Sequence, residues 1–201
     1  MTIPIVIAAG GNGSRIGGDK GGRMLGGITL LQRAVTFALT QTDKVAIAAR
    51  AADALATEPR LPLLIDRAVD GGPLTALMSA LDYGAACGAQ GVLMMPCDMP
   101  FLPADLMVRL SAEGGSVGGG ARVAMARSGA RFHPICALWP LACRVALPAY
   151  AATSNGSLIG LARQVGCAEI AWPDTPFDPF FNINDADDLA VAEWVLGSED
   201  I

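Results

Sequence analysis

The chain is poor in charge, in aromatic side chains and in histidine, and it contains no long apolar run. Only 16% of its 201 residues are charged, 5% are aromatic, and His133 is its single histidine. No apolar segment reaches the roughly 18 residues that a membrane-spanning helix needs, and no basic stretch precedes the first apolar segment. We therefore expect neither a membrane span nor a signal peptide.

Cysteine pairs with the spacing of a metal site are also missing. The five cysteines form no Cys-x-x-Cys pair and no cluster with the histidine, so we expect no structural zinc and a reducing, cytoplasmic location. The net charge is −5 and the pI is about 4.7, which argues against the basic face that nucleic-acid binding requires. The 52% of hydrophobic residues suffice for the core of one domain.

Strand-like apolar runs alternate with helix-like segments, a pattern typical of an α/β fold with a mainly parallel sheet. The predicted strands are Ile3–Ala9, Lys44–Ala49, Leu61–Ile65, Gly91–Cys97, Ala121–Ala126, Ile135–Trp139 and Cys167–Trp172. The predicted helices are Leu30–Leu39, Pro73–Ala86, Pro103–Leu110 and Asp185–Leu196. In such folds ligands bind at the carboxyl ends of the strands, near a switch in strand order, so we expect the site there.

A glycine-rich loop follows the first predicted strand. Residues 8 to 20 read AAGGNGSRIGGDK and contain five glycines together with Arg15 and Lys20. Glycines allow backbone N–H groups to approach an anion closely, and the two cationic side chains add full positive charge. In a chain of net negative charge, this local concentration indicates a polyphosphate and therefore a nucleotide.

The same loop also matches a GxGxxxG dinucleotide pattern over Gly11–Gly17, and Arg50 after the second strand could meet the 2′-phosphate of NADP. A dinucleotide site needs a helix to begin among these glycines. Four glycines between positions 17 and 22 would each cost such a helix about 1 kcal/mol. No GxxxxGKS or GxxxxGKT P-loop occurs. The loop therefore favours a triphosphate, with an NADP-dependent oxidoreductase as the rival.

Two carboxylates follow other predicted strands. Asp98 follows the fourth strand, where a carboxylate can bind Mg²⁺ together with phosphate oxygens. The alternative is that it caps the turn before Pro100. Asp66 follows the third strand and could accept hydrogen bonds from guanine N1–H and N2–H, the alternative being an Asx turn.

Polar residues near the end of the chain complete the candidates. Asn184 or Asp185 is a plausible N-cap of the last helix, which leaves one of the amides Asn182 and Asn184 for a polar ligand. A lone histidine is more often structural than catalytic, so His133 is assigned a substrate-binding role at most.

Taken together, these residues resemble the molybdenum cofactor guanylyltransferase (MobA) family, with matching motifs in the family's order along nearly the whole chain. The motifs are Ala9-Gly10-Gly11, Arg15-Ile16-Gly17, Asp19-Lys20, Asp66 with Gly72-Pro73-Leu74, Pro96-Cys97-Asp98-Met99-Pro100, His133-Pro134 with Ala137-Leu138-Trp139, and the run from Phe177 to Asn184. Ile16 replaces a family Met and Thr29 a family Pro. The second strand ends in Ala49-Arg50, where the family offers an Asn, so that contact is not carried over.

The resemblance implies a three-layer, Rossmann-like nucleotidyltransferase fold in one domain, 1–201, with a nucleotide-binding part of about 1–110 and an acceptor-binding part of about 111–201. It implies Mg²⁺-dependent transfer of GMP from GTP to the phosphate of molybdopterin, with release of pyrophosphate. It also implies transient contact with molybdoenzymes or their chaperones, and no nucleic acid or membrane partner.

Family roles are carried over position by position. The resemblance implies that the nucleotide is bound by Ala9, Gly10, Gly11, Lys20, Asp66 and Asp98. It implies that the catalytic residues are Arg15, Lys20 and Asp98, with Asp98 as the metal ligand. It also implies that the acceptor is bound by Asn182 and Asn184. Within the same enzyme class, the alternatives are a cytidylyltransferase for the same cofactor and a sugar-phosphate nucleotidyltransferase. A non-catalytic carrier of nucleotide or cofactor is the alternative of another class.

Overall fold

A computed structural model describes residues 2–9, 21–49, 60–65, 72–114, 122–153 and 156–198. Its strands are β1 (Ile5–Ala8), β2 (Met24–Leu25), β3 (Ile28–Thr29), β4 (Val45–Ala49), β5 (Leu63–Ile65), β6 (Gly91–Pro96), β7 (Val123–Ser128), β8 (Arg131–Pro140) and β9 (Cys167–Trp172). Its helices are α1 (Leu30–Gln41), α2 (Pro73–Ala86), α3 (Leu106–Gly114), α4 (Cys143–Thr153), α5 (Leu158–Val165) and α6 (Ala186–Gly197).

Seven strands form one central sheet in the order β5-β4-β1-β6-β8-β7-β9. β1 is parallel to β4 and to β6, β4 to β5, and β7 to β9, whereas β8 runs antiparallel to both of its neighbours. Alternate residues of β1 face opposite sides of the sheet: Ile5 packs toward α1 and α3, and Val6 toward α2, α4 and α5. The three-layer α/β prediction with a mainly parallel sheet is confirmed.

The strand order reverses at β1. From β1 the chain continues to β4 and β5 on one side, and then returns to pair β6 with the other side of β1. Ligands of open α/β sheets bind at the carboxyl ends of the strands beside such a reversal. Because β8 is antiparallel, its first residues lie at the same edge where β6 and β7 end.

β8 contains an irregularity close to that edge. Met125 pairs with Ala137, but the next residue, Ala126, pairs with His133, so residues 134 to 136 are extra on β8. Pro134 cannot donate to the ladder and is tolerated at such a bulge. The strand therefore begins at Arg131 instead of the predicted Ile135, and β7 and β8 form a hairpin that turns at Gly129 with φ +51°.

Other elements differ from the sequence prediction. α4, α5 and the short β2–β3 hairpin were not predicted, and α3 begins at Leu106 instead of Pro103. Pro148 lies inside α4, where proline normally ends a helix. α5 has only eight residues, although Ser157 caps its N-terminus. Within the described residues, no helix combines the length and the apolar character that crossing a membrane would require.

Candidate functional site

The strand ends at the reversal are held together by main-chain hydrogen bonds. Ala8 pairs with Pro96, and its carbonyl accepts from the N–H of Cys97 at 3.2 Å. The N–H of Ala9 donates to Ala48 on the other side at 2.8 Å. Ala9, the first predicted nucleotide-binding residue, therefore lies beside the end of β6, where the predicted metal ligand follows.

Five of the predicted site residues, Gly10, Gly11, Arg15, Lys20 and Asp66, lie outside the described residues, as does Arg50 of the rival prediction. The described residues on either side of the glycine-rich loop are Ala9 and Gly21. The carbonyl of Gly21 accepts from the N–H of Leu31 at 3.1 Å, and that of Arg23 from Leu30 at 2.9 Å. The chain after the loop is thus attached to the first turn of α1.

The β2–β3 hairpin connects this attachment to α6. The N–H of Gly26 donates to Oε1 of Glu193 at 2.9 Å, and the guanidinium of Arg33 donates to the Leu25 carbonyl at 2.7 and 2.9 Å. Gly26 has φ +57°, and a Cβ there would lie 2.4 Å from Leu196 Cδ2. The positive φ therefore favours glycine, and a side chain at this position would also displace the ends of the Leu196 and Arg33 side chains.

Thr29, the departure from the family's proline, begins α1 as its N-cap. Its side chain accepts from the N–H of Gln32 at 3.1 Å, and the Gln32 side chain accepts from the N–H of Thr29 at 3.2 Å. This is a capping box, which satisfies two backbone donors at the helix start. A proline at position 29 has no N–H to take part in it, so the replacement has a local structural reason.

Asp98 lies at the carboxyl end of β6 and is 8% exposed. Its main-chain oxygen accepts from the N–H of Ile183 at 2.9 Å. On the β8 side, Cys136 donates its thiol to the sulfur of Met99 at 3.6 Å. Burial, reinforced by the negative charge of Asp98, raises the pKa of Cys136 well above its usual range. The carboxylate therefore lies at the strand end, near enough to β8 to influence that thiol.

The hydrogen bond to Ile183 brings the predicted acceptor residues beside Asp98. The Oδ1 of Asn182 is buried, and no hydrogen-bond partner for it exists within the described part of the chain. Asn184 is exposed; its Nδ2 donates to the carbonyl of Asn182 at 3.3 Å, and its N–H donates to Asp188 at 2.7 Å. The N-cap of α6 is Asp185, which settles the capping question in its favour.

His133 is a buried structural residue. It is 4% exposed, shares a 2.7 Å hydrogen bond between its Nε2 and Ser128 Oγ, and stacks on Phe180 with ring centroids 4.6 Å apart. Burial lowers the pKa of His133. The positive charge of Arg131 lowers this pKa further, and the negative charge of Asp178 raises it. The neutral imidazole thus fixes the β7–β8 hairpin against the segment that follows β9.

A cavity of about 430 Å³ opens at this hairpin and was not predicted from the sequence. Its lining residues are Ser128, Ala130, Arg131, Asp174 and Asp178. The only sequence signals were a Ser-Gly turn between two strands and two aspartates after the last strand. Neither signal indicates a shared cavity until the sheet order is known.

Comparison with known proteins gives the family. The chain matches the model of the MobA-like NTP transferase domain over residues 5–165. It is 39% identical over 202 residues to a molybdenum cofactor guanylyltransferase of Rhodopseudomonas palustris (98% of this chain, 93% of the relative). It is 36% identical over 192 residues to one of Cereibacter sphaeroides (95% of each).

A solved structure confirms the fold. Molybdopterin-guanine dinucleotide biosynthesis protein A from Archaeoglobus fulgidus superimposes with a TM-score of 0.77 at 20% identity, covering 96% of this chain and 98% of that one. The sheet order and the family match agree with the resemblance that the motifs indicated. This chain belongs to the MobA-like NTP transferase family.

Proposed function

We propose that this protein transfers GMP from GTP to the phosphate of molybdopterin and releases pyrophosphate. The observation that carries the proposal is the hydrogen bond from Ile183 to Asp98, which sets the two asparagines at the end of β6, next to the end of β1. The names of the full-length relatives support the choice of donor and acceptor. The division into a nucleotide-binding part of about 1–110 and an acceptor-binding part of about 111–201 is part of the proposal.

Donor binding is assigned to the loops around β1. Ala9, Gly10 and Gly11 are proposed to offer backbone N–H groups to the nucleotide, and Asp66 to accept from the nucleoside. Arg15 and Lys20 are proposed to stabilise the negative charge that builds on departing pyrophosphate. The main-chain bonds of Ala9 and Gly21 support this assignment, since they attach the chain before the loop to β4 and the chain after it to α1.

Asp98 fits a Mg²⁺ ion. Mg²⁺ usually binds through one or two carboxylates together with substrate phosphate oxygens and waters. Asp98 offers a carboxylate at the end of β6, next to the end of β1, the strand that precedes the proposed phosphate loop in the sequence. The described residues contain no cluster of three or more acidic, histidine or cysteine ligands. Asp98 therefore fits a Mg²⁺ ion that is held by few protein ligands and by the phosphates of the substrate. When bound, the ion supplies positive charge against the phosphates.

The reaction asks for positioning more than for proton transfer. A phosphate oxygen of the acceptor is already an anionic nucleophile; it forms a bond to the α-phosphorus of GTP while the bond from that phosphorus to the bridging oxygen of pyrophosphate breaks. Asn182 and Asn184 are proposed to orient the acceptor, and Arg15 and Lys20 to lower the repulsion between the anions. His133 is buried and hydrogen-bonded to Ser128, so no proton-transfer role is assigned to it.

The decisive experiment mixes the protein with GTP, Mg²⁺ and molybdopterin and measures pyrophosphate and the guanine dinucleotide product. Release that needs all three components is the expected result, with CTP a much poorer donor. Equal or better use of CTP would instead favour a cytidylyltransferase. Binding of GTP and molybdopterin without pyrophosphate release would favour the carrier alternative. Cytoplasmic location and transient contact with molybdoenzymes or their chaperones follow from the proposed product.

A further inference from the structure

We propose that the cavity at the β7–β8 hairpin binds the aminopyrimidinone ring of the pterin acceptor, with Asp174 and Asp178 accepting its N–H donors. The inference rests on the proposed function. It goes further by assigning residues to the part of the acceptor that is remote from the reacting phosphate.

The charge of the lining argues for a ring rich in N–H donors and against a phosphate. The lining carries two carboxylates, Asp174 and Asp178, and a single guanidinium, Arg131, and the volume of about 430 Å³ is within the range of small-molecule sites. Ionised carboxylates only accept hydrogen bonds and guanidinium only donates. An aminopyrimidinone ring has an amino group and a ring N–H beside a carbonyl, which matches two acceptors and one donor.

The cavity is held in shape by contacts that do not use up its acceptors. Oδ1 of Asp178 accepts from the N–H of Phe180 at 2.9 Å, and its Oδ2 lies 3.9 Å from Arg131 in an ion pair that is open to water on the arginine side. Asp174 approaches the hairpin at Gly129, where a Cβ would lie 2.3 Å from its Oδ2. The absence of a side chain at position 129 therefore permits this carboxylate to reach the cavity.

Position favours pterin over guanine, which has the same hydrogen-bonding edge. The cavity lies where β7 ends and β8 begins, on the side of β6 away from β1 and β5, whose following loops are assigned to GTP. Asp178 precedes Asn182 by four residues, so their Cα atoms are at most about 14 Å apart. The turn from Phe181 N–H to the Asp178 carbonyl, at 3.0 Å, shortens this distance. A pterin here keeps its phosphate arm near Asn182 and Asp98.

The test compares Asp174→Asn and Asp178→Asn with wild type and with the control Asp82→Asn. Asp82 is an exposed aspartate paired with Arg144 at 2.6 Å, far from the cavity along α2. Asparagine at 178 retains an oxygen for the Phe180 N–H, so the fold is preserved. We expect the KM for molybdopterin to rise at least about tenfold in both cavity variants, since each loses a charge-assisted hydrogen bond. The KM for GTP should stay unchanged in these variants, and both KM values should stay unchanged in the control Asp82→Asn.

A rise in the KM for GTP would make this the guanine site and overturn the inference, as would unchanged values for both substrates. A second measurement separates the inference from the proposed function: fluorescence titration, without nucleotide, of a pterin that carries a phosphate on its C6 side chain. Binding by wild type that weakens in the two variants supports the pocket even if no GMP is transferred. Equal binding by all four proteins, or none by wild type, rejects the pocket even if transfer is normal. If Asp178→Asn misfolds, the result for Asp174→Asn decides whether the inference holds, because Asp174 is exposed.

Discussion

Asp98 and Ile183 are joined through their main chains, the carbonyl of one accepting from the N–H of the other at 2.9 Å. Ile183 is fully buried in a small cluster with Leu25, Leu30 and Ala192. The segment that carries the two asparagines is thus fixed twice, by the strand end on one side and by the β2–β3 hairpin, α1 and α6 on the other. This bond uses the main chain of Asp98, so a substitution of the side chain leaves the bond itself in place.

Replacing Asp98 by Asn should therefore lower turnover roughly a hundredfold or more while the fold is retained. The nearly isosteric amide removes a negative charge but not the main-chain bond to Ile183. Pyrophosphate release at increasing Mg²⁺ checks the effect, with thermal unfolding as the measure of the fold and Asp82→Asn as the control. Near-normal turnover at saturating Mg²⁺ would reject Asp98 as the metal ligand.

Gly26→Ala should destabilise the protein more than Gly27→Ala. Both glycines have positive φ, +57° and +77°, so alanine is strained at each by roughly 1 kcal/mol. A Cβ at 26 also lies 2.4 Å from Leu196 Cδ2 and 2.8 Å from Arg33 Nη2, whereas a Cβ at 27 meets nothing within 4 Å.

Urea unfolding of the two variants measures the difference, and the KM for GTP reports whether the hairpin controls the loop before it. We expect the larger loss of stability and the larger rise in KM in Gly26→Ala. Equal free energies of unfolding would mean that the contact with α6 contributes nothing.

Acid should destabilise the fold through His133. Its pKa is lowered by burial, so the unfolded chain binds the proton more readily than the folded one. The contribution is fully present above the unfolded pKa of about 6.5 and is lost as the pH falls through the lower folded value. The free energy of unfolding of wild type should thus decrease from pH 7 toward pH 5.

The variant His133→Gln isolates this effect, because the other titrating groups are common to both proteins. The decrease toward pH 5 should be smaller in the variant, although the variant is less stable at pH 7 for want of the contacts with Ser128 and Phe180. Identical pH dependence in the two proteins would show that the histidine is not responsible.

Thiol chemistry should divide the cysteines into two groups. Cys97, Cys136 and Cys143 are buried, and Cys87 and Cys167 are partly exposed. Burial raises the pKa of Cys143 to about 11 and that of Cys136 well above its usual range, so few thiolates are present at neutral pH. An aromatic disulfide reagent should modify two thiols of the folded protein first and the other three only on unfolding. Rapid modification of Cys136, located by mass spectrometry, would contradict its burial beside Asp98.

Local patterns were enough to place much of the sheet and several helices. β9 and α2 have their predicted bounds, because turn residues flank the strand and Pro73 begins the helix without losing a hydrogen bond. The predicted strand over Ile135–Trp139 is shorter than β8, because Pro134 is typical of a strand end. Only the pairing with β7 shows that a bulge accommodates this proline. α4 was not predicted for a similar reason: Pro148 lies within it, and proline is typical of a helix end.

The sequence predicted which strand ends carry the site residues, but not how those residues lie relative to one another. The loop after β1 and Asp98 after β6 could be assigned to one edge, because parallel strands end together. The family resemblance gave Asn182 only an acceptor-binding role. That Asn182 lies beside Asp98 could not be predicted, since no sequence period links residues 84 positions apart. The hairpin cavity could not be predicted, because it depends on the reversed direction of β8, which single-strand patterns do not encode.

That reversed strand has an evolutionary consequence. In the sheet, β6 and β8 lie between β1, β4 and β5 on one side and β7 and β9 on the other, so the β7–β8 hairpin and the residues after β9 belong to the half of the sheet that does not contain β1. On the proposed assignments, a duplicated copy of such a gene could acquire a new acceptor through substitutions at positions 128–131 and 173–178 while the residues proposed to bind the donor stay unchanged. Chimeras that exchange only these two short stretches between family members would be the laboratory counterpart of that history.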